Sequence, residues 1–194
     1  MEFVTCWGPD PKIRLEKSIE LAKQIGARVI VVHPQDYLDR GFYKWTRENF
    51  PKIITGAKPA TVAFENHTTR RRLSDKKFFT IFPSYTLDTS HIATTQKDPA
   101  ETARKIGSKL FHVHLSDSDF KRRPNRPDLI ADRHLLPGQG KLPLREFLQT
   151  LKEIEYSNYI VLEVLPENVG AGESDQTIVN NLKKARKFIE ENLS

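Results

Sequence analysis

The chain has 194 residues, 38% of them hydrophobic and 29% charged, which predicts one globular domain spanning residues 1–194. Lys and Arg outnumber Asp and Glu by 31 to 25, and the charge of +6 favours phosphate-bearing partners such as sugar phosphates or nucleic acid. No apolar run reaches the ~18 residues of a membrane span, no signal-peptide pattern is present, and the single Cys6 excludes an intrachain disulfide, so we expect a cytoplasmic protein without membrane partners.

Strand-like and helix-like segments alternate in the first half, which is typical of an α/β fold with a parallel sheet. A short apolar strand is expected at residues 3–7 and a β-branched strand at residues 28–33. Between them we expect a helix, with Asp10 as its N-cap and Gly26 just past its end. Residues 35–58 are aromatic and mixed in character, and we interpret them as a long loop followed by a helix.

The second half continues this alternation and brings the number of expected strands to six. The additional strands are expected at residues 61–65, 85–88, 109–115 and 159–164. Helices are expected at residues 98–106, from Leu144 to Leu151 and in the C-terminal segment, where apolar residues recur at helical spacing. Residues 116–141 are rich in Arg, Pro and Asp and are expected to be one long irregular region, and loops of this length are usually functional or disordered.

Most of the expected strands end in a residue type that binds metals or transfers protons. These residues are His33, Glu65, Asp88 with His91, His114 and Glu163, and the long irregular region adds Asp132 and His134. In parallel α/β barrels the C-terminal strand ends meet at one face, where several strands contribute to one site. Each residue alone would be an ordinary structural histidine or solvated carboxylate. Their recurrence at successive strand ends predicts a metal site.

The motifs VVHP, FENH, TLDTSH, HVHLSD, DRHLLPGQG and VLEV, in this order, resemble the xylose-isomerase-like TIM-barrel superfamily. This superfamily includes sugar isomerases and epimerases, and also the endonuclease IV enzymes (AP endonuclease family 2). The resemblance implies a (β/α) TIM-barrel fold, whose complete members have eight strands. The six expected strands would make this barrel incomplete, with the first two βα units missing from the protein or encoded upstream. Because unpaired sheet edges are normally covered, we expect a homo-oligomer.

The resemblance also implies a ligand set for the metal. The superfamily uses a Glu, an Asp, a His and a second Glu from four strands, which here correspond to Glu65, Asp88, His114 and Glu163. This oxygen-rich set suits Mn²⁺ or Zn²⁺, with Mg²⁺ or Co²⁺ as alternatives. The same two glutamates would be the catalytic acid and base. His112 has the same orientation as His114 in a regular strand, but the H-L-x-D pattern of the superfamily favours His114.

Further residues distinguish the two branches of the superfamily. In the nuclease branch, His91, Asp132 and His134 would hold an additional ion, but Thr5-Cys6-Trp7 lacks a histidine that the first zinc of that branch requires. In the isomerase branch, His33, His91 and Arg122 would bind substrate. Two basic clusters, residues 70–77 and 121–126, are either solvated loop charge or a rim that binds the phosphate of a sugar or of DNA.

The sequence therefore leaves three functions open. The first is a metal-dependent sugar or sugar-phosphate isomerase or epimerase that transfers a proton through an enediolate. The second is an endonuclease IV-like phosphodiesterase that acts at abasic sites in DNA. The third is a barrel fragment that binds metal without turnover.

Overall fold

A computed structural model describes residues 2–5, 11–33, 40–66, 81–123 and 126–193. The chain divides into two compact units, Met1–Thr86 and Leu87–Ser194, which are described separately. The expected single domain stays a prediction. None of the described helices combines the length and the apolar character that crossing a membrane requires.

The first unit alternates parallel strands with helices, as the sequence predicts. Its elements are β1 (Glu2–Thr5), α1 (Pro11–Ile25), β2 (Val29–Val32), α2 (Arg40–Ala57), β3 (Thr61–Glu65) and the start of β4 (Tyr85–Asp88). The strands are parallel and neighbour one another in chain order. All four residues of β2 are buried, which explains why this strand is a continuous β-branched run. The expected N-cap Asp10 lies outside the described residues.

An aromatic cluster forms part of the core of the first unit. The rings of Phe64 in β3 and Phe82 are stacked with centroids 3.7 Å apart. Phe50 of α2 lies against both, with centroid distances of 5.6 and 5.5 Å. The aromatic residues of the mixed segment 35–58 therefore include one that fixes α2 against β3, so this part of the segment is a helix with a structural role.

The second unit contains the end of β4 and the remaining elements. These are α3 (Thr89–Ala93), α4 (Pro99–Ile106), β5 (Leu110–Leu115), β6 (Arg122–Arg123), β7 (Arg126–Ile130), α5 (Leu144–Glu153), β8 (Ile160–Leu162), α6 (Pro166–Val169) and α7 (Asp175–Leu193). β5 and β8 are parallel neighbours, with His114 opposite Val161. The apolar residues that predicted α5, including Phe147 and Leu148, are fully buried.

The expectation that residues 116–141 are irregular throughout is wrong. β6 and β7 form a short antiparallel hairpin, and Asp117 forms an isolated bridge with Leu135. The sequence of this segment has no apolar periodicity that would predict these elements, because hydrogen bonds and not an apolar face hold them in place. The carboxylate of Asp117 accepts hydrogen bonds from the backbone N–H groups of Ser118, Gly138, Gly140 and Leu142, at 2.8 to 3.1 Å.

We expect Gly140→Ala to destabilise the second unit. A Cβ at this position would lie 2.6 Å from Cγ of Asp117 and 2.6 Å from the backbone oxygen of Ser118, so the loop would have to move. The free energy of unfolding should fall by ~2 kcal/mol or more, measured by urea denaturation. Gly56→Ala in α2, where a Cβ has open space, is the matched control and should not destabilise. Equal effects of the two substitutions would contradict this prediction.

Candidate metal centre

Three predicted metal ligands converge in the second unit. Asp88 ends β4, His114 lies in β5, and Glu163 directly follows β8. The parallel register of β5 and β8, extended by a hydrogen bond from the Glu163 N–H to the Leu115 oxygen, sets Glu163 beside His114. His114 Nδ1 lies 2.6 Å from Glu163 Oε2 and 4.0 Å from Asp88 Oδ2.

The three side chains offer ligand atoms that all lie within 4.8 Å of one another. Asp88 and His114 are buried, whereas the side chain of Glu163 is 44% exposed. Two carboxylates around one imidazole are a hard donor set, and burial of their negative charge is costly without a cation. The residues of this cluster therefore fit a divalent ion, with Glu163 as the most exposed of the three side chains.

The first unit contains another predicted ligand, Glu65, together with His33. His33 directly follows β2 and Glu65 ends β3, and the register of these parallel strands sets Val32 opposite Phe64. The two side chains therefore meet, and His33 Nε2 forms an ion pair with Glu65 Oε2. Glu65 is fully buried, whereas the side chain of His33 is 19% exposed. The assignment of Glu65 as a ligand to the same ion stays a prediction.

The residues predicted for an additional site also lie together in the second unit. Asp132 Oδ1 is 3.0 Å from Nε2 of His134 and 3.9 Å from Nε2 of His91. Asp88, His91 and His134 offer ligand atoms within 4.8 Å of one another, so Asp88 lies between the two clusters. Its Oδ1 accepts the backbone N–H of His91 at 2.7 Å and caps α3.

The charges of this second cluster stabilise one another. Burial opposes the protonated form of His134, but the negative charges of Asp88, Asp132 and Glu163 and the hydrogen bond to Asp132 raise its pKa to about 10. Burial likewise opposes ionisation of Asp132, but the hydrogen bond from His134 and nearby positive charge lower the pKa of this carboxyl. In the absence of an ion, His134 is therefore protonated at neutral pH and Asp132 is ionised.

The backbone at His134 has a positive φ of 43°, which is unusual for a residue other than glycine. Ser90 Oγ accepts the N–H groups of Arg133 and His134 at 2.9 and 3.0 Å. Asn168 Nδ2 donates to the carbonyl oxygens of the same two residues at 2.8 Å each. Neither positioning residue was predicted from the sequence: Ser90 lies inside the TLDTSH motif, but Asn168 has no sequence signal.

The basic residues have different surroundings. The Arg122 side chain is exposed, and its backbone oxygen accepts a hydrogen bond from Arg133 Nη1 at 2.7 Å. The neighbouring Arg123 is less exposed, and its Nη1 lies 3.8 Å from Asp132 Oδ2. The substrate-binding role expected of Arg122 stays a prediction. The other basic cluster, residues 70–77, lies outside the described residues.

Comparison with known proteins identifies the family of the chain. The family described as xylose isomerase-like TIM barrel matches residues 4–191 of the chain. The chain belongs to this family. An uncharacterized protein of Mycobacterium leprae is similar to this xylose isomerase-like protein, with 30% identity over 94% of the chain and 72% of the relative. The expected fold class, an incomplete TIM-barrel type of about six strands, is confirmed, and the part of the chain that the structure describes contributes six strands to the main sheet.

Two further similarities concern proteins named as sugar epimerases. Fructoselysine 3-epimerase of Escherichia coli is 36% identical over 61 residues, which are 31% of this chain and 19% of the epimerase. A structure of D-psicose 3-epimerase with D-tagatose from Clostridium cellulolyticum has a TM-score of 0.72 and 17% identity, over 96% of this chain and 74% of that one. The structural similarity shows a shared fold.

We expect Ser90→Ala to destabilise the second unit, because two backbone N–H groups at Arg133 and His134 would lose their common acceptor. The free energy of unfolding should fall by ~2 kcal/mol in urea denaturation. Ser108→Ala removes an exposed hydroxyl in the same unit, and this control should change stability by less than about 0.5 kcal/mol. A wild-type unfolding curve for Ser90→Ala would show that the hydroxyl does not hold this segment.

Proposed function

We propose that this xylose isomerase-like protein is a divalent-metal-dependent epimerase or isomerase of a sugar or sugar phosphate. The observation that carries the proposal is the approach of two carboxylates, Asp88 and Glu163, to the single imidazole of His114. The family relationship and the similarity to proteins named as sugar 3-epimerases support the same class of reaction. The identity of the ion among Mn²⁺, Zn²⁺, Mg²⁺ and Co²⁺ is left to experiment.

In this proposal Asp88, His114 and Glu163 hold the ion, and Glu65 is the fourth ligand that the sequence predicts. When bound, the ion would polarise the carbonyl of the sugar and the hydroxyl on the neighbouring carbon, and this would acidify the C–H bond of that hydroxyl-bearing carbon. Glu163 would remove this proton, since its side chain is the exposed member of the set. Glu65 would be the second proton carrier, with His33 as its hydrogen-bonding partner.

His91 is proposed to bind a hydroxyl of the substrate. It lies in the middle of the short helix α3, close to Asp132, and its side chain is 12% exposed. A positively charged surface around Arg122 would favour a phosphorylated sugar over an uncharged one. DNA as a partner and the homo-oligomer expected from the sequence stay predictions.

A second candidate function is an endonuclease IV-like phosphodiesterase. The observation in its favour is the cluster of His91, Asp132 and His134, which offers a further set of metal-ligand types beside Asp88. A chain that binds an ion without turnover is the third candidate. Ion binding, proton exchange and nicking of DNA at an abasic site separate the three candidates.

The first experiment tests the ion. Protein freed of metal by chelation should bind Mn²⁺ or Zn²⁺, and its melting temperature should rise as ion is added. Glu163→Gln should weaken the binding at least about tenfold, because an amide is a poorer ligand than a carboxylate. Glu167→Gln changes an exposed glutamate in α6 and should bind as the wild type does. A melting temperature that ignores both ions would contradict the proposal.

The second experiment tests the reaction. With Mn²⁺ in deuterated water, the protein should introduce solvent deuterium next to the carbonyl of a ketose or ketose phosphate, observed by NMR over a panel of these sugars. Glu163→Gln should lower the exchange rate by about 10²-fold or more, since general base catalysis contributes at least this much. Glu167→Gln should exchange at the wild-type rate.

The alternative functions give different results in the same protein preparation. Metal-dependent nicking of duplex DNA at an abasic site, lost in His134→Ala, would replace the proposed epimerase with the phosphodiesterase. If the protein binds its ion but neither exchanges protons nor nicks DNA, the non-catalytic candidate becomes the best account.

A further inference from the structure

Asp132 is surrounded by three groups that can carry positive charge. The imidazoles of His134 and His91 approach one carboxylate oxygen, Oδ1, at 3.0 and 3.9 Å. The guanidinium of Arg123 approaches the other oxygen, with Nη1 3.8 Å from Oδ2. Both oxygens of the carboxylate that a second metal ion would need therefore face groups of the protein that can carry positive charge.

The β6–β7 hairpin holds Arg123 in this place. Arg133 Nη1 donates to the backbone oxygen of Arg122 at 2.7 Å, and the Ala131 N–H donates to the Lys121 oxygen at 2.9 Å. These bonds fix the strand on which Arg123 lies. Its side chain is 22% exposed, and within the described part of the chain its buried Nε has no hydrogen-bond partner. The guanidinium therefore lies on the side of the hairpin that faces Asp132.

The fixed charge of Arg123 opposes a second cation. An arginine side chain stays protonated at every physiological pH, so it cannot lose its charge to admit an ion. A divalent ion held by Asp132 and the two imidazoles would lie next to this guanidinium in a largely buried cluster, where like charges repel strongly. Asp88, the remaining carboxylate of the cluster, is shared with the first ion and also caps α3.

We propose that Arg123 is the resident cation of the Asp132 cluster and limits this chain to one divalent ion. This proposal rests on the proposed function for the first ion, which Asp88, His114 and Glu163 would hold. What it adds is that the chain binds one ion and not two. The proposed proton transfer uses one ion, whereas the resemblance to the nuclease branch implies several, so Arg123 would favour the first reaction.

Counting ions tests the proposal. Metal-free wild type, Arg123→Gln and Arg123→Lys are dialysed against the same Mn²⁺ or Zn²⁺ solution, and bound ion is measured by elemental analysis. Arg123→Gln should bind one more ion per chain than the wild type, with at least about a tenfold gain in affinity at the new site. Arg123→Lys keeps the positive charge and should bind as the wild type does. Arg122→Gln, which changes the exposed neighbour, is the matched control and should also bind as the wild type does.

Each result supports or overturns the inference separately from the proposed function. The extra ion of Arg123→Gln should disappear when His134→Ala is added, because that substitution removes a ligand of the second cluster alone. Equal ion counts in wild type and folded Arg123→Gln, or two ions already in the wild type, would overturn the role of Arg123. A variant that fails to fold still leaves a test. If Arg123→Gln does not fold, a second ion in the wild type or in Arg123→Lys would overturn the role of Arg123, and one ion in each would support this role. A wild type that binds no ion, while Arg123→Gln binds one, would refute the proposed function and leave the role of Arg123 supported.

Discussion

The carboxylate of Asp88 is the interaction on which the candidate site depends. One oxygen caps the N-terminus of α3 and the other faces His114, so the same buried group ends a strand, starts a helix and offers a metal ligand. The helix that it starts carries Ser90, which holds the backbone of His134. Thr89 Oγ1 also exchanges hydrogen bonds with the backbone of Ser116, just beyond β5. The position of each ligand in the second unit is thereby linked to one capping carboxylate.

The distribution of charge gives the two clusters of this unit different characters. Around His114 the charged neighbours are carboxylates, Asp88 and Glu163, so the local deficit of positive charge fits an ion. Around Asp132 the neighbours are imidazoles and a guanidinium, so the carboxylate is already balanced by the protein itself. The two clusters contain similar residue types, but the cluster around His114 sets carboxylates beside its imidazole, whereas the cluster around Asp132 also includes a guanidinium. This contrast favours one-ion chemistry at a small substrate over multi-ion cleavage of a phosphodiester.

The segment 116–141 shows how a loop can be ordered without an apolar core of its own. Four backbone N–H groups point at the single carboxylate of Asp117, which acts as the centre of the PGQG turn. Gly140 has to be a glycine because the loop passes so close to this carboxylate that a Cβ would collide with it. Asp117 also forms an isolated antiparallel bridge with Leu135, the residue that follows His134. Order in this loop is thus a consequence of buried polar contacts that hold site residues in place.

The sequence by itself determined the alternation of strands and helices, because apolar periodicity and caps are local properties of the chain. It also indicated Asp88, His114 and Glu163, since parallel strands bring their ends together whatever the intervening sequence. Only the tertiary structure decided that Arg123, rather than its neighbour in sequence, approaches Asp132, and that Asn168 supports His134. Two adjacent arginines are equivalent in a sequence, and the register of a hairpin, set by distant hydrogen bonds, decides which of them reaches the site.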